Sequence, residues 1–123
     1  MNCSIVVGTD LVDVPRIVKL IRNKRFLERI FSAEEIRYCQ DKKNAGQHFA
    51  VRFATKEAVW KALNPIVKVK GIGHKEISVK RTASGQPLIS LSARLKKFEK
   101  KISISLSHTR EYALAVAIYH DNY

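Results

Sequence analysis

The stretch from Val51 to Leu63, Val-Arg-Phe-Ala-Thr-Lys-Glu-Ala-Val-Trp-Lys-Ala-Leu, limits the possible folds of this chain more than any other part. Phe49, Phe53, Trp60 and Leu63 recur at spacings of three, four and seven, the rhythm of one face of an α-helix. At about 100° per residue, Glu57 falls between Phe53 and Ala50 on that helix, and Lys61 falls beside Ala54. A carboxylate and an amine one turn apart therefore sit in a stripe expected to face a core. A buried charge is costly without a partner, a metal or a task. Two readings follow from the pattern. One is an i,i+4 Glu57–Lys61 pair on a wet helix shoulder, worth about a few tenths of a kcal/mol. The other is a pair with a chemical role.

A chain of 123 residues is expected to form one domain, 1–123, around one core. The formal net charge of +12 calls for an anionic partner: nucleic acid, acidic lipid, a phosphorylated small molecule or an acidic protein. Cys3 and Cys39 form no Cys-x-x-Cys, and His48, His74, His108 and His120 are scattered, so no zinc spacing appears. Two free thiols fit a reducing compartment. Met1 to Gly8 lacks a basic segment and a long apolar run and is not expected to be a signal peptide. Ala113 to Ile118, the longest apolar run, is too short to span a bilayer. A soluble, cytoplasmic protein is expected, with no membrane partner.

Ile5 to Gly8 reads as a short strand, with Thr9 to Asp13 following it. Asp13 can cap a helix with Pro15 in its first turn, which leaves Asp10 free. Val14 to Arg22 is amphipathic: Val14, Ile17, Val18 and Ile21 line one side, and Arg16, Lys19 and Arg22 belong to a basic face that is either solvated or a docking surface. A short apolar helix spans Arg25 to Phe31. Ser32 and Glu35 form a capping box opening a helix to Cys39 or Gln40. The long helix runs from about Gln47 to Leu63 and ends at Asn64-Pro65. A loop with Lys68, Lys70, Gly71 and Gly73 leads to strands at 76–80 and 88–91, then a basic helix at 93–101. Strands at 102–106 and 112–118 alternate cleanly, the last with large residues on one face and alanines on the other. Ser107 to Glu111 joins them. Helices before most of the strands indicate an α+β fold, helices packed on a small antiparallel sheet.

Asp10 and Glu57, with no soft ligand beside them, suit a hard cation such as Mg²⁺, which binds substrate phosphates. Lys61 could neutralise a phosphate or move a proton, and His108 could hold another phosphate. Arg52 and Lys56 add positive charge. Together these groups suit metal-assisted transfer of a phosphate-linked group, if they converge.

Four blocks carry a family resemblance. Gly8-Thr9-Asp10-Leu11-Val12-Asp13-Val14-Pro15-Arg16-Ile17 resembles the amino-terminal motif of the holo-acyl-carrier-protein synthases, small bacterial-type 4′-phosphopantetheinyl transferases. Arg25 to Phe31 is similar to the next block. Arg52-Phe53-Ala54-Thr55-Lys56-Glu57-Ala58 with Lys61-Ala62-Leu63 resembles the central signature, and Ser105 to Ala113 the carboxy-terminal motif. The resemblance implies transfer of phosphopantetheine from coenzyme A to a serine of apo acyl carrier protein, releasing adenosine 3′,5′-bisphosphate, in support of fatty acid biosynthesis. It implies Asp10 and Glu57 as Mg²⁺ ligands, with Asp13 a second candidate beside Asp10. It implies Glu57 and Lys61 as catalytic residues, Lys61 contacting phosphate and serving as proton donor to the leaving group. Arg52, Lys61, His108 and Thr109 would bind coenzyme A, and Arg16, Lys19 and Arg22 would meet the acidic carrier. It also implies a homotrimer, in which the alanine face of the last strand could meet a second chain. The loop Asn64 to Gly73 departs from the family's glycine-rich turn. A nucleic-acid-binding module is the alternative that the charge alone allows, but it offers no reason for Glu57 in an apolar stripe, so no nucleic acid partner is expected.

Overall fold

The computed structural model describes residues 5–67 and 71–121. Met1 to Ser4, with Cys3, and Lys68 and Lys70 of the basic loop lie outside the described residues. In chain order the elements are β1 (Ile5–Asp13), α1 (Val14–Leu20), α2 (Lys24–Ile30), α3 (Ala33–Gln40) and α4 (Ala45–Leu63), then a one-turn 3₁₀ helix (His74–Glu76). β2 (Ile77–Arg81), β3 (Pro87–Leu91), a 3₁₀ helix (Ala93–Lys101), β4 (Ile102–His108) and β5 (Tyr112–His120) follow. The fold is α+β, as expected, with its antiparallel strands divided between two sheets: β1-β5-β4 and the hairpin β2-β3.

The local signals act as read. Asp13 caps α1 by accepting from Arg16 N at 3.3 Å. Ser32 and Glu35 make the reciprocal box on α3, at 3.1 Å and 3.0 Å. α4 stops at Leu63 with Asn64 as its cap, one residue before Pro65. Among the described residues Cys39 is a free, buried thiol.

β1 is longer than expected. Thr9 to Asp13 continue the strand rather than leave it, because β5 offers nine partners from Tyr112 to His120 and the register runs unbroken from Ile5 to Asp13. Asp10 is therefore a residue within a strand, opposite Ala115.

α4 lies across the inner face of the three-stranded sheet, and eleven of its 19 residues are buried. A single apolar stripe is thus too simple a description: neighbours cover the helix on nearly every side. Trp60, placed in that stripe by its spacing, is instead 38% exposed, and Glu57 is half-buried. Two small-residue surfaces let helix and sheet approach closely. Ala58 and Ala62 on α4 meet Gly8 on β1, and Ala113, Ala115 and Ala117 of β5 are fully buried beneath α4. The alanine face of β5 is consequently filled by the chain's own helix, not left for a second chain. Its opposite face carries the large residues and is the open one.

Candidate active site

A missing Cβ brings β1 and α4 together. A side chain at Gly8 would run into the carbonyl of Ala58 and lie 2.8 Å from Ala62 N. Without one, the strand rests directly on the helix backbone. Strand alternation puts Asp10 on the same face as Gly8, against the turn of α4 that carries Glu57 and Lys61. Lys61 Nζ donates to Asp10 Oδ1 at 3.2 Å and to the Thr9 carbonyl at 3.0 Å. Asp10 Oδ2 is buried and has no hydrogen-bond partner among the described residues. Burial pushes the Asp10 carboxyl above its ordinary value of 3.8, with Lys61 pulling it down and the nearby Glu57 carboxylate pushing it further up.

Glu57 does not pair with Lys61. Its Oε2 is 2.6 Å from His74 Nε2, and Lys61 reaches across to β1 instead. The i,i+4 spacing puts both side chains on one helix stripe, but a better-placed partner lies beside each of them. Glu57, Trp60, Ile72 and His74 line a cavity of about 290 Å³. Among the described residues no third His, Cys, Asp or Glu joins Asp10 and Glu57 to make a three-ligand metal group. A cation held there would draw its remaining ligands from water and a bound substrate, the habit of Mg²⁺ at phosphate sites.

Lys56 corrects an expectation. It adds no free positive charge to a phosphate site, because it is fully buried. Its Nζ is 2.8 Å from Glu35 Oε1 and donates to the carbonyls of Ile77 and His74 at 2.6 Å and 3.1 Å. All three ammonium hydrogens are used. Glu35 in turn accepts from Ser32 N and from Val79 N. Burial pulls the Lys56 amine below its ordinary value while the Glu35 carboxylate resists the change.

The other expected residues form a second cluster. Arg52 is 2% exposed, sits 4.4 Å over the Tyr38 ring and has its Nε buried without a hydrogen-bond partner among the described residues. His48 is held below its ordinary value of 6.5, first by burial and then by the charges of Arg52, Arg81, Lys42 and His108. His108 ends β4 and is exposed. Thr109 closes the β4–β5 turn, its N–H donating to Tyr112 O at 2.8 Å and its Oγ1 accepting from Tyr112 N at 3.1 Å. Arg52 lies five residues before Glu57, about 140° around the helix. Asp10, Glu57 and Lys61 thus converge, while Arg52 and His108 gather elsewhere. Arg16, Lys19 and Arg22 are all exposed, and Arg16 is near enough to Asp10 to lower its pKa.

The model of the 4′-phosphopantetheinyl transferase superfamily matches residues 6–117. The chain belongs to this superfamily. Holo-(acyl-carrier-protein) synthase of Ruminiclostridium cellulolyticum is 40% identical over 124 residues, covering 94% of this chain and 91% of the relative. The enzyme of the same name from Chlamydia felis is 42% identical over 116 residues, covering 91% and 93%. The holo-(acyl-carrier-protein) synthase of Helicobacter pylori, solved in complex with coenzyme A, superimposes with a TM-score of 0.76 at 34% identity, covering 90% of this chain and 96% of that one. The protein is therefore an enzyme of the holo-acyl-carrier-protein synthase family, a phosphopantetheinyl transferase.

Three residues of these clusters escaped the sequence reading: His48, His74 and the structural role of Lys56. For Lys56 a signal was present. It lies seven residues from both Phe49 and Leu63, on the most buried line of α4, and the Glu35 of the capping box is its counterion. His74 carried no signal, since its contact with Glu57 depends on how the loop after α4 returns.

Proposed function

We propose that the chain, as one domain over 1–123, transfers 4′-phosphopantetheine from coenzyme A to a serine of apo acyl carrier protein in a Mg²⁺-dependent reaction. The observation that carries this reading is the Asp10–Glu57–Lys61 group: two carboxylates and an amine at the contact of β1 with α4, with Asp10 Oδ2 buried and unpartnered. An orphaned carboxylate oxygen in a desolvated place is what a cation would satisfy. Asp10 and Glu57 would hold the ion, which when bound neutralises charge on the pyrophosphate of coenzyme A. In the transfer, the serine hydroxyl gives its proton to Glu57 or to water as its oxygen forms a bond to the phosphorus bearing the pantetheine arm. The bond from that phosphorus to the bridging oxygen breaks, and adenosine 3′,5′-bisphosphate leaves. Lys61 spends two N–H groups on β1 and keeps a third for a phosphate oxygen or for protonating the leaving group, its side chain being 46% exposed.

Arg52, His108 and Thr109 serve the nucleotide end of coenzyme A. Arg52 Nε, without a hydrogen-bond partner among the described residues, and the surrounding cations support an anion there. Arg16, Lys19 and Arg22 form the docking face for the acidic carrier, next to Asp10 through Arg16. A homotrimer would cover the outer sheet face, where Ile5, Val7 and Leu11 of β1 and Tyr112, Leu114 and Ile118 of β5 are 37–66% exposed. It would also bring the nucleotide cluster of one protomer toward the carboxylate pair of another. The reaction is proposed to serve fatty acid biosynthesis in the cytoplasm; no helix of the described residues is long and apolar enough to cross a membrane.

The test is direct. Apo carrier protein incubated with enzyme, coenzyme A and Mg²⁺ should gain the mass of one phosphopantetheine group; several carriers left unmodified would sink the reading. Glu57→Gln should lower the rate at limiting Mg²⁺ by roughly 100-fold, equivalent to about 3 kcal/mol of transition-state stabilisation.

A further inference from the structure

Glu57 is held by a residue outside the four family blocks. His74 lies in the one-turn 3₁₀ helix beyond Gly73, 17 residues after Glu57, and its Nε2 is 2.6 Å from Glu57 Oε2. A carboxylate that is to hold a cation can only accept at this contact, which requires the imidazole hydrogen on Nε2. His74 is held at its ring face and at its carbonyl. Its ring stacks on Phe53, with centroids 5.8 Å apart and planes 13° from parallel. Its carbonyl accepts from the buried Lys56 ammonium at 3.1 Å. The turn around it is clamped by Glu76, which accepts from Gly73 N at 3.0 Å and is gripped by Arg94 through Nε and Nη2, each at 2.7 Å.

A free glutamate carboxylate rotates broadly about its last torsion. One short bond to a fixed donor removes that freedom at Oε2. Oε1 has no hydrogen-bond partner among the described residues. We propose that His74 is a positioning residue for Glu57, occupying Oε2 so that Oε1 is presented to the divalent cation shared with Asp10. This rests on the reading of Asp10 and Glu57 as the metal pair. The Glu35–Lys56 ion pair is the anchor behind it, since it fixes the backbone from which the imidazole extends. Partners that orient metal-binding carboxylates typically contribute tenfold to 100-fold in metal affinity.

The experiment uses the full chain with coenzyme A and no carrier, so that no turnover occurs, and follows Mn²⁺ binding by electron paramagnetic resonance. His74→Phe keeps a ring against Phe53 and removes the donor. His74→Gln puts an amide N–H near the place of Nε2, and His74→Asn puts one nearer Nδ1. The expected result is roughly tenfold to 100-fold weaker Mn²⁺ binding in the Phe and Asn variants and near-native binding in the Gln variant. The Mg²⁺ concentration for half-maximal rate should rise in parallel, while kcat at saturating Mg²⁺ changes far less. Native binding by both the Phe and Asn variants, or a Gln variant as weak as they are, overturns the proposal. Asp10→Asn separates the two failures. If it binds Mn²⁺ as tightly as the parent, the metal reading falls and this inference with it. If it loses Mn²⁺ while His74→Phe and His74→Asn do not, only the role of His74 falls.

Discussion

Lys56 shows how much one residue's setting can differ from its type. A lysine with no exposed surface is tolerable only because Glu35 and two carbonyls take up all three of its hydrogens. Replacing Lys56 with Met leaves the Glu35 carboxylate buried without its counterion. It should cost about 3–5 kcal/mol in urea unfolding, with part recovered when Glu35→Gln is added. Asp10 makes the opposite case, a carboxylate whose burial is incompletely compensated. Its raised pKa means that the folded protein binds this proton more readily than the unfolded chain. Its contribution to stability therefore falls as pH rises from the ordinary value of 3.8 through the folded value, and stays lower above it. With metal removed by chelator, the stability of the parent relative to Asp10→Asn should decline over that window. A difference that grows with pH would contradict the assignment.

The contact of β1 with α4 is the element-scale feature on which the proposed site depends. Gly8→Ala would place a methyl group against the backbone of Ala58 and Ala62, atoms that cannot rotate away. It should destabilise the protein by about 3 kcal/mol. Because any relief comes from parting strand and helix, it should also lower kcat/KM by moving Asp10 away from Lys61 and Glu57. Thermal unfolding and a carrier-modification assay read the two effects, and a fully stable Gly8→Ala protein would refute the close packing.

Over the whole molecule, the most telling surface is the outer face of the three-stranded sheet. Leu11 at 63% exposure and Leu114 at 37% lie opposite each other in the β1–β5 register. An apolar sheet face of this kind is normally covered. If the proposed homotrimer forms through this face, Leu11→Lys with Leu114→Lys should convert it to monomers in sedimentation velocity, and activity should fall with it. Unchanged mass would remove this face as the interface.

Much of this was legible in the chain because it is local. The Asp13 cap, the Ser32–Glu35 box, the stop at Asn64-Pro65 and the alternation of β4 and β5 each involve residues within a few positions of one another. Backbone sterics and short hydrogen bonds decide them whatever the rest of the fold does. Family blocks around Asp10 and Glu57 identified two carboxylates far apart in sequence. Which groups touch them was another matter. Lys61 bonds Asp10, 51 positions away, rather than Glu57 one turn back, and His74 takes Glu57 from a loop. Lys56 turns inward to Glu35, and the alanine face of β5 goes to α4 rather than to a neighbour. Local signals in the chain were enough to place most of the helices and strands in order, and the family blocks pointed to Asp10 and Glu57 as the proposed metal pair. Only the tertiary structure decided their partners, because a side chain's partner depends on which faces pack and on what the returning chain brings beside it.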